Sequence, residues 1–318
     1  RAISILGVLL YHFFSRFTPP TNPVSLYPYN DKYDFFGPGS LGVRFFFIIS
    51  GFVIFFTLEK TGSFSAFWKK RFIRLFPSML GASLVTFIVF RIFDNNTIFP
   101  QSHKLINFLP SLSFLNPKLI NTVYHNPVAY IDGAYWSLWP EAQFYLFCSL
   151  IFYINRQNFL RNFVVLSIVF ICFNQLMFGS TGAALLKKIA FPYTAIVNYR
   201  FVFFGLFNLI EFLPFFGSGV IFYLLYRNNK YGAATANYIK LCLTFFIAFI
   251  LFKGGVAHSA QIAYFLMVLL FFCFIYYPRM LRFLDNKLMY RIGVASYFLY
   301  LVHENNGVLV INKLGKYF

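Results

Sequence analysis

Long apolar runs alternate with short polar segments along the whole chain. A helix needs about 20 mostly apolar residues to cross the hydrocarbon core of a bilayer. Judged by that length, about nine runs are candidate membrane helices: 2–14, 41–58, 75–92, 136–154, 163–178, 199–226, 238–252, 258–277 and 292–311. The pattern predicts an all-α protein, a polytopic membrane helix bundle with about nine transmembrane helices.

The run at 199–226 is the longest and carries three residues that interrupt helices. Pro214 removes a backbone donor, and Gly217 and Gly219 weaken the helix locally. Membrane helices tolerate such residues where they kink or break. We therefore predict either one kinked span or a broken pair, which changes the number of spans by one.

The composition excludes an ordinary soluble domain. Of 318 residues, 59% are hydrophobic and 23% aromatic, and only 11% are charged. Soluble globular domains contain about 45–50% apolar and about 25% charged residues. One core of this size cannot bury such an excess of apolar side chains, so many of them must face lipid.

Basic residues outnumber acidic residues by 27 to 9, which gives a formal net charge of +18. In a soluble protein this balance would favour nucleic acid as a partner, but here Lys and Arg lie between apolar runs. They are more than twice as dense in one set of alternating segments as in the other, and the dense set is 59–74, 155–162, 227–240 and 278–291. By the positive-inside rule this set faces the cytoplasm. We expect a multi-pass protein of the cytoplasmic membrane. Its partner is the lipid bilayer, and no nucleic acid is expected as a partner.

With the N-terminus inside, the long loops at 15–40 and 93–134 are external. Both are rich in Pro, Asn and Ser, which is typical of ordered surface loops, and we expect them to cover a site. The four cysteines lack the spacing of a disulfide framework or a zinc site, so neither is expected. Since no repeat or soluble second domain is visible, we predict a single transmembrane domain over 1–318, truncated at both ends.

Ionisable residues inside membrane helices are costly, so each is a functional candidate. Arg1 and His12 lie eleven residues apart in the first run, which places them on one helix face and separates them by about 16 Å along the axis. Arg1 is then near the cytoplasmic boundary, where it suits an anionic cofactor, and His12 lies deeper, near reacting atoms. The alternative is that Arg1 extends to the interface and His12 only hydrogen-bonds a neighbouring helix.

A basic cluster at 69–74 lies at the predicted inner edge of the membrane. Arg71 and Arg74 are three residues apart, so they share a helix face on which two guanidiniums can bind phosphates, with Lys70 beside them. Anchoring to anionic lipid is the commoner role of such a cluster.

The segment AYWSLWPEAQFYL begins a helix in which Glu141 and Tyr145 share a face. A carboxylate there can orient a histidine or bind a sugar hydroxyl. The flanking Trp136 and Trp139 are either a sugar platform or part of an interfacial aromatic belt.

Three further ionisable residues lie in the second half of the chain. Glu211 precedes the kink-prone FLPFFGSG, where it can line a cavity or cap a broken helix. His303 and Glu304 are adjacent in the last run, and neighbouring residues of a helix point about 100° apart. We therefore expect one of this pair to face a site and the other to point elsewhere.

Six blocks, in this order, carry a family resemblance. They are Arg1 with His12, GSLGVRFFFIISGFVI at 39–54, RFIR at 71–74, WSLWPEAQFYL around Glu141, NLIEFLPFFGSG at 208–219, and SYFLYLVH at 296–303. Together they resemble the acyltransferase-3 family of integral membrane O-acyltransferases. The blocks extend over essentially the whole chain.

The resemblance implies transfer of an acyl group, usually acetyl, from cytoplasmic acyl-CoA to a hydroxyl of a cell-surface or lipid-linked carbohydrate, with no metal. His12 would be the general base or would carry the acyl group. Arg1 would orient the donor, and Glu141 would position the acceptor or His12. The remaining expected site residues are Arg71, Arg74 and Lys70 for CoA phosphates, and Trp136, Tyr145, Glu211 and His303 for the acceptor.

This chain departs from the family pattern at Arg44, where an acidic residue is often found, and in stopping soon after SYFLYLVH. It also has no fused SGNH-type esterase-like domain. Either the chain acts alone, or a separate extracytoplasmic transferase completes the reaction, or the domain was removed. The main alternative function is a polytopic transporter or flippase for a lipid-linked or small anionic substrate. Another class of intramembrane acyltransferase is a second alternative.

Overall fold

The structure, a computed structural model, describes residues 1–29, 31–95, 97–124, 127–178, 180–189, 192–230, 239–240, 243–244, 246–247, 258–315 and 317. All regular elements in these ranges are helical, as the sequence predicts. The α-helices are α1 (Ala2–Phe14), α2 (Gly42–Glu59), α3 (Phe64–Phe93), α4 (Phe108–Ser113), α5 (Pro117–Asn121), α6 (Leu138–Ile154), α7 (Phe159–Phe178), α8 (Ser180–Lys188), α9 (Tyr193–Arg200), α10 (Leu209–Lys230), α11 (His258–Tyr276), α12 (Lys287–Val302) and α13 (Glu304–Leu314).

Helices lie where the apolar runs predict them, but two runs are divided. The run at 199–226 contains the end of α9, a π-helix at Phe201–Leu206 and most of α10, and it divides before α10 instead of at Pro214, Gly217 or Gly219. The run at 292–311 is divided at His303 between α12 and α13. The run predicted at 238–252 and Cys242 lie mostly or wholly outside the described residues, and the other three cysteines are free thiols.

Fewer helices than predicted are long enough to cross a membrane. In the described ranges four segments have the length and apolar composition of a span: Asp34–Glu59, Phe64–Phe93, Phe159–Met177 and Leu209–Lys230. A fifth is present if Ala260–Tyr276 and Pro278–Leu284, which are bent by 112°, form one span. The number falls below nine partly because α1 has only 13 residues and α6 only 17.

The chain forms two compact units, each assembled from distant segments. The first unit contains Arg1–Phe46, Lys70–Trp139 and Gly255–Phe318. The second unit contains Phe47–Lys69 and Pro140–Gly254.

In the first unit, α1 packs against a 3-10 helix at Asp34–Leu41 and against α12 and α13. Its buried residues recur at every third or fourth position and form one stripe: Ser4, Ile5, Val8 and His12. A Cβ atom on Gly39 would lie 2.2 Å from the carbonyl oxygen of Gly7, so only glycine fits at this contact. This close approach positions the face of α1 that carries His12.

In the second unit, the backbones of α2 and α10 touch. A Cβ atom on Gly51 would lie 2.1 Å from the carbonyl oxygen of Phe216, and one on Gly219 would lie 2.0 Å from that of Ile48. Both glycines belong to sequence blocks that resemble the family. Their role in this chain is therefore to let two helices pack without side chains between them.

A polar contact joins the C-terminal ends of the same two helices. Glu59 accepts a hydrogen bond from the Tyr223 hydroxyl at 2.6 Å and pairs with Arg227. These three residues lie at or near segments that the distribution of Lys and Arg assigns to the cytoplasmic side.

Candidate active site

Three ionisable side chains meet inside the first unit, and we call them the His12 cluster: His12, His303 and Glu304. Nε2 of His12 lies 3.4 Å from Oε2 of Glu304. Nδ1 of the same ring lies 3.2 Å from Nε2 of His303. None of the three residues is more than 8% exposed. Such a concentration of ionisable groups in an apolar chain is the strongest candidate for a functional site.

The junction between α12 and α13 brings two members of the cluster to His12. His303 follows the last residue of α12, and Glu304 begins α13. The expectation that only one of this adjacent pair faces the site is wrong. Two neighbouring side chains that point about 100° apart can lie on two sides of one imidazole ring. Here His303 approaches Nδ1 of His12, and Glu304 approaches Nε2.

Backbone carbonyl groups define where the hydrogens of the two imidazoles lie. Nδ1 of His303 is 2.7 Å from the carbonyl oxygen of Tyr300, and Nδ1 of His12 is 2.9 Å from that of Val8. Because a carbonyl oxygen only accepts, we assign a hydrogen to each Nδ1. The Nδ1–H of His12 is also within reach of Nε2 of His303, which accepts. Nε2 of His12 is then the nitrogen that can take up a proton.

This arrangement is suited to general base catalysis. Histidine takes up and releases protons near neutral pH more readily than other side chains. A proton that arrives at Nε2 of His12 makes an imidazolium directly beside the Glu304 carboxylate, whose negative charge stabilises it in a site with little water.

Asn305 connects the segment between α3 and α6 to the His12 cluster by hydrogen bonds. Its side-chain amide donates to Ser102 Oγ at 2.9 Å and to the carbonyl oxygen of Ile131 at 3.2 Å, and its backbone N–H donates to Asp132 at 3.1 Å. Asp132 is fully buried. Its burial and the nearby Glu304 carboxylate raise the pKa of Asp132 well above its ordinary value.

Sequence reasoning did not identify Asp132 or Asn305. A signal was present for Asp132, because the chain has only nine acidic residues and this one lies in an apolar stretch directly before a glycine. Its side chain caps the 3-10 helix at Gly133–Ser137 by accepting from the N–H of Ala134 at 2.9 Å. Asn305 gives no comparable signal, since an asparagine after His303 and Glu304 is typical of any loop.

The expected phosphate-binding residues differ in exposure. Arg71 is only 4% exposed, whereas Lys70 and Arg74 are exposed at the start of α3. Residues three apart on a helix are separated by about 60° around the axis, which here is enough to turn one inward and the other outward. Lys70 and Arg74 are accessible to an anionic ligand, and the role of all three in binding CoA stays a prediction.

Two other expected residues of the first unit lie apart from the cluster. Arg1 is exposed directly before α1, about 16 Å along the helix axis from His12. Trp136 lies in the 3-10 helix at Gly133–Ser137 and is 40% exposed. Roles for Arg1 and Trp136 in binding donor and acceptor stay predictions.

The remaining expected residues belong to the second unit. Oε1 of Glu141 accepts hydrogen bonds from Ser50 Oγ at 2.6 Å and from the Tyr145 hydroxyl. This contact agrees with the shared helix face of Glu141 and Tyr145. Glu211 is half-buried in the first turn of α10. Roles for Glu141, Tyr145 and Glu211 in positioning the acceptor stay predictions.

The His12 cluster also has the spacing of a cation site. One nitrogen or oxygen atom from each of the three residues lies within 4.8 Å of the others. Two histidines and a carboxylate are a donor set that binds zinc or iron. A cation bound through Nε2 of His12 would occupy the nitrogen that otherwise accepts a proton, so this atom cannot serve both roles at once.

The loop after α3 is anchored at Asp94, and replacing this residue with asparagine should loosen it. Asp94 accepts from His103 at 3.1 Å and from the N–H groups of Thr97 and Ile98 at 3.3 Å. Burial acts to raise the pKa of Asp94, but these hydrogen bonds outweigh it and lower the pKa. The carboxylate therefore stabilises the loop above its unfolded pKa of about 4, and this contribution disappears as the pH falls through the folded value.

The measurement is hydrogen exchange of the loop in membranes at pH 7. We expect Asp94→Asn to weaken protection of residues 97–103 by about 1–3 kcal/mol, and the difference from the wild type to shrink well below pH 4. Asp34→Asn is the control, because the Asp34 side chain is 86% exposed. Equal protection in Asp94→Asn and wild type at pH 7 would show that these contacts do not hold the loop.

Apolar helices around a buried histidine and carboxylate define a membrane protein with an acid–base site. The sequence profile of the acyltransferase-3 family, described as an acyltransferase domain, matches residues 1–318. A protein of Acidianus two-tailed virus named "Putative acetyltransferase ORF330" is 24% identical over 316 residues, which cover 95% of this chain and 80% of that protein. No solved structure matches the chain. The chain belongs to the acyltransferase-3 family and is a membrane protein of the acyl-transferring class.

Proposed function

We propose that this protein is an O-acetyltransferase of the cytoplasmic membrane. It transfers an acetyl group from cytoplasmic acetyl-CoA to a hydroxyl of a cell-surface or lipid-linked carbohydrate. The observation that carries the proposal is the His12 cluster, in which Nε2 of His12 is available beside a carboxylate while Nδ1 is held by Val8 and His303.

In the general base form of the reaction, the acceptor hydroxyl gives its proton to Nε2 of His12. Its oxygen bonds to the thioester carbonyl carbon, the C–S bond breaks, and the imidazolium returns the proton to the CoA thiolate. Glu304 stabilises the imidazolium between these two events. In the acyl carrier form, Nε2 attacks the thioester carbonyl carbon, the C–S bond breaks and the CoA thiolate leaves. The acceptor oxygen then bonds to the acetyl carbon, the C–N bond to the ring breaks, and the hydroxyl proton goes to the CoA thiolate.

The donor side of the proposal rests on charge and accessibility. Lys70 and Arg74 are exposed at the start of α3, in the segment that the positive-inside rule assigns to the cytoplasm, where acyl-CoA is present. We assign CoA phosphates to these two residues and to Arg71, and donor orientation to Arg1. In the first unit, the acceptor would contact Trp136 and His303. Roles for Tyr145, Glu211 and Glu141 of the second unit stay predictions.

The test is transfer of radiolabel from acetyl-CoA to glycolipid and polysaccharide fractions of membranes that contain the full-length protein. We expect the wild type to label one of these fractions. We expect Lys70→Ala with Arg74→Ala to raise the KM for acetyl-CoA about tenfold or more, because each lost charge contact with a phosphate weakens donor binding.

Arg91→Ala is the matched control, because Arg91 is an exposed arginine near the other end of α3. It should leave the KM for acetyl-CoA unchanged. If the wild type labels no carbohydrate fraction and does not bind acetyl-CoA, the acetyltransferase assignment fails and transport becomes the leading function. An unchanged KM in the double variant would remove these residues from the donor site.

A further inference from the structure

The His12 cluster brings three possible metal ligands together inside the first unit. One nitrogen or oxygen atom from each of His12, His303 and Glu304 lies within 4.8 Å of the others. The ligand atoms of a tetrahedral Zn²⁺ ion, each about 2.0–2.1 Å from the metal, are about 3.3–3.4 Å apart. Nε2 of His12 and Oε2 of Glu304 already have this spacing, at 3.4 Å. The cluster is thus close to the geometry of three zinc ligands.

Both imidazoles are held in the tautomer and orientation that a metal site requires. Nδ1 of His12 donates to the carbonyl oxygen of Val8 at 2.9 Å, and Nδ1 of His303 donates to that of Tyr300 at 2.7 Å. A histidine that binds a metal through one ring nitrogen almost always donates its other N–H in this way. Nε2 of each ring therefore carries a lone pair. Zn²⁺ would draw the lone pair of His303 away from the Nδ1–H of His12, which keeps Val8 as its partner.

Gly133 leaves the space that the third ligand occupies. A Cβ atom at this position would lie 2.5 Å from Oε1 of Glu304, so only glycine lets the carboxylate lie where it does. Oε1 then packs against Gly133, and Oε2 is the atom that lies beside His12. Two imidazoles fixed by carbonyl groups and a carboxylate fixed by packing form a ligand set that is ordered before an ion arrives.

A cavity of about 480 Å³ gives an ion access to the cluster. It lies between the loop after α3 and the start of α13, and Glu304 forms part of its wall. An ion in this cavity is therefore in reach of one of the three ligands. The other charged residue of the wall is Lys118, which is exposed, so that solvent and salt screen its repulsion of a cation.

We propose that the His12 cluster binds Zn²⁺ and that the bound ion blocks acetyl transfer. Two imidazoles with one carboxylate favour Zn²⁺ over Mg²⁺ and Ca²⁺, which prefer oxygen ligands. The ion occupies Nε2 of His12, so this atom can neither accept the proton of the acceptor hydroxyl nor attack the thioester. The inference rests on the proposed function and adds an inhibitor of the same site, and the transfer reaction itself uses no metal.

Zinc binding is measured on the purified full-length protein by equilibrium dialysis, and X-ray absorption at the zinc edge identifies the ligands. We expect one ion per wild-type chain, with two imidazole ligands. His303→Ala and Glu304→Gln each remove a ligand and should raise the Kd for Zn²⁺ at least about tenfold, because loss of even an outer partner of a ligand costs about 10–100-fold. The spectrum of His303→Ala should show one imidazole fewer than that of the wild type.

His103→Gln is the matched control. His103 also lies beside a carboxylate, 3.1 Å from that of Asp94, but it is not part of the His12 cluster. This variant should bind zinc as the wild type does. If the wild type and His303→Ala bind zinc with the same Kd, or if the wild type binds none at micromolar concentrations, the inference is wrong.

The second measurement is radiolabel transfer from acetyl-CoA in the presence of added salts. We expect Zn²⁺ to inhibit the wild type, an excess of chelator to restore the rate, and Mg²⁺ at the same concentration to have no effect. If zinc bound to the cluster leaves transfer unchanged or raises it, the ion does not block the site, and the inference is wrong while the transfer function stands. If the wild type transfers no label, the proposed function fails and zinc binding alone decides the inference.

Discussion

Replacing His12 with alanine should abolish acyl transfer while the protein stays folded. Nε2 of this imidazole is the proton acceptor that lies 3.4 Å from the Glu304 carboxylate. Loss of a general base costs about 10²–10⁴ in rate, and loss of a covalent carrier removes the reaction altogether. Radiolabel transfer from acetyl-CoA in membranes, with protein amount and thermal stability measured in parallel, checks this expectation.

Leu10→Ala is the control for His12→Ala. Leu10 lies on the same helix and is 39% exposed, so its truncation removes apolar bulk from α1 without touching the cluster. We expect it to retain transfer. If His12→Ala also retains transfer at the wild-type rate, His12 is neither base nor carrier.

Two further measurements separate the roles open to His12. Rapid quenching of wild-type protein with labelled acetyl-CoA, without acceptor, should leave label on the protein only if His12 carries the acyl group. Treatment with a chelator tests whether the same residues hold a cation. We expect transfer to be unchanged after chelation, because Nε2 of His12 must be available to take up a proton.

The sequence was sufficient to predict the class of fold and much less of its detail. Apolar runs predict helices because a backbone in lipid must satisfy its own hydrogen bonds, and this rule does not depend on tertiary contacts. Where the helices break depends on those contacts. Pro214 and the glycines after it mark a weak point, yet α10 continues through them and the break lies at Phe207, before α10. Gly219 instead lies where α10 meets α2.

The candidate site shows the same division between local and distant information. His12 was predictable because a histidine in a membrane helix is costly and therefore rarely incidental. The contact of both His303 and Glu304 with its ring was not, because it depends on how α13 departs from α12 some 290 residues later in the chain. Asp132 and Asn305 form their contact across 173 residues, which no local spacing reveals.

Replacing Glu304 with glutamine should lower kcat about 10²–10³-fold with little loss of stability. Glutamine has nearly the same shape but no charge, so the imidazolium of His12 loses its stabilising partner. The fold should tolerate the change, because it also removes the negative charge that lies near buried Asp132. The charged and titratable groups around position 304 are then His12, His303, Asp132 and Arg16.

Glu59→Gln is the matched control for Glu304→Gln, because Glu59 pairs with Arg227 in the second unit. It removes a carboxylate of the same kind away from the His12 cluster and should keep the wild-type kcat. A Glu304→Gln protein with wild-type kcat and wild-type stability would show that the carboxylate does not assist His12.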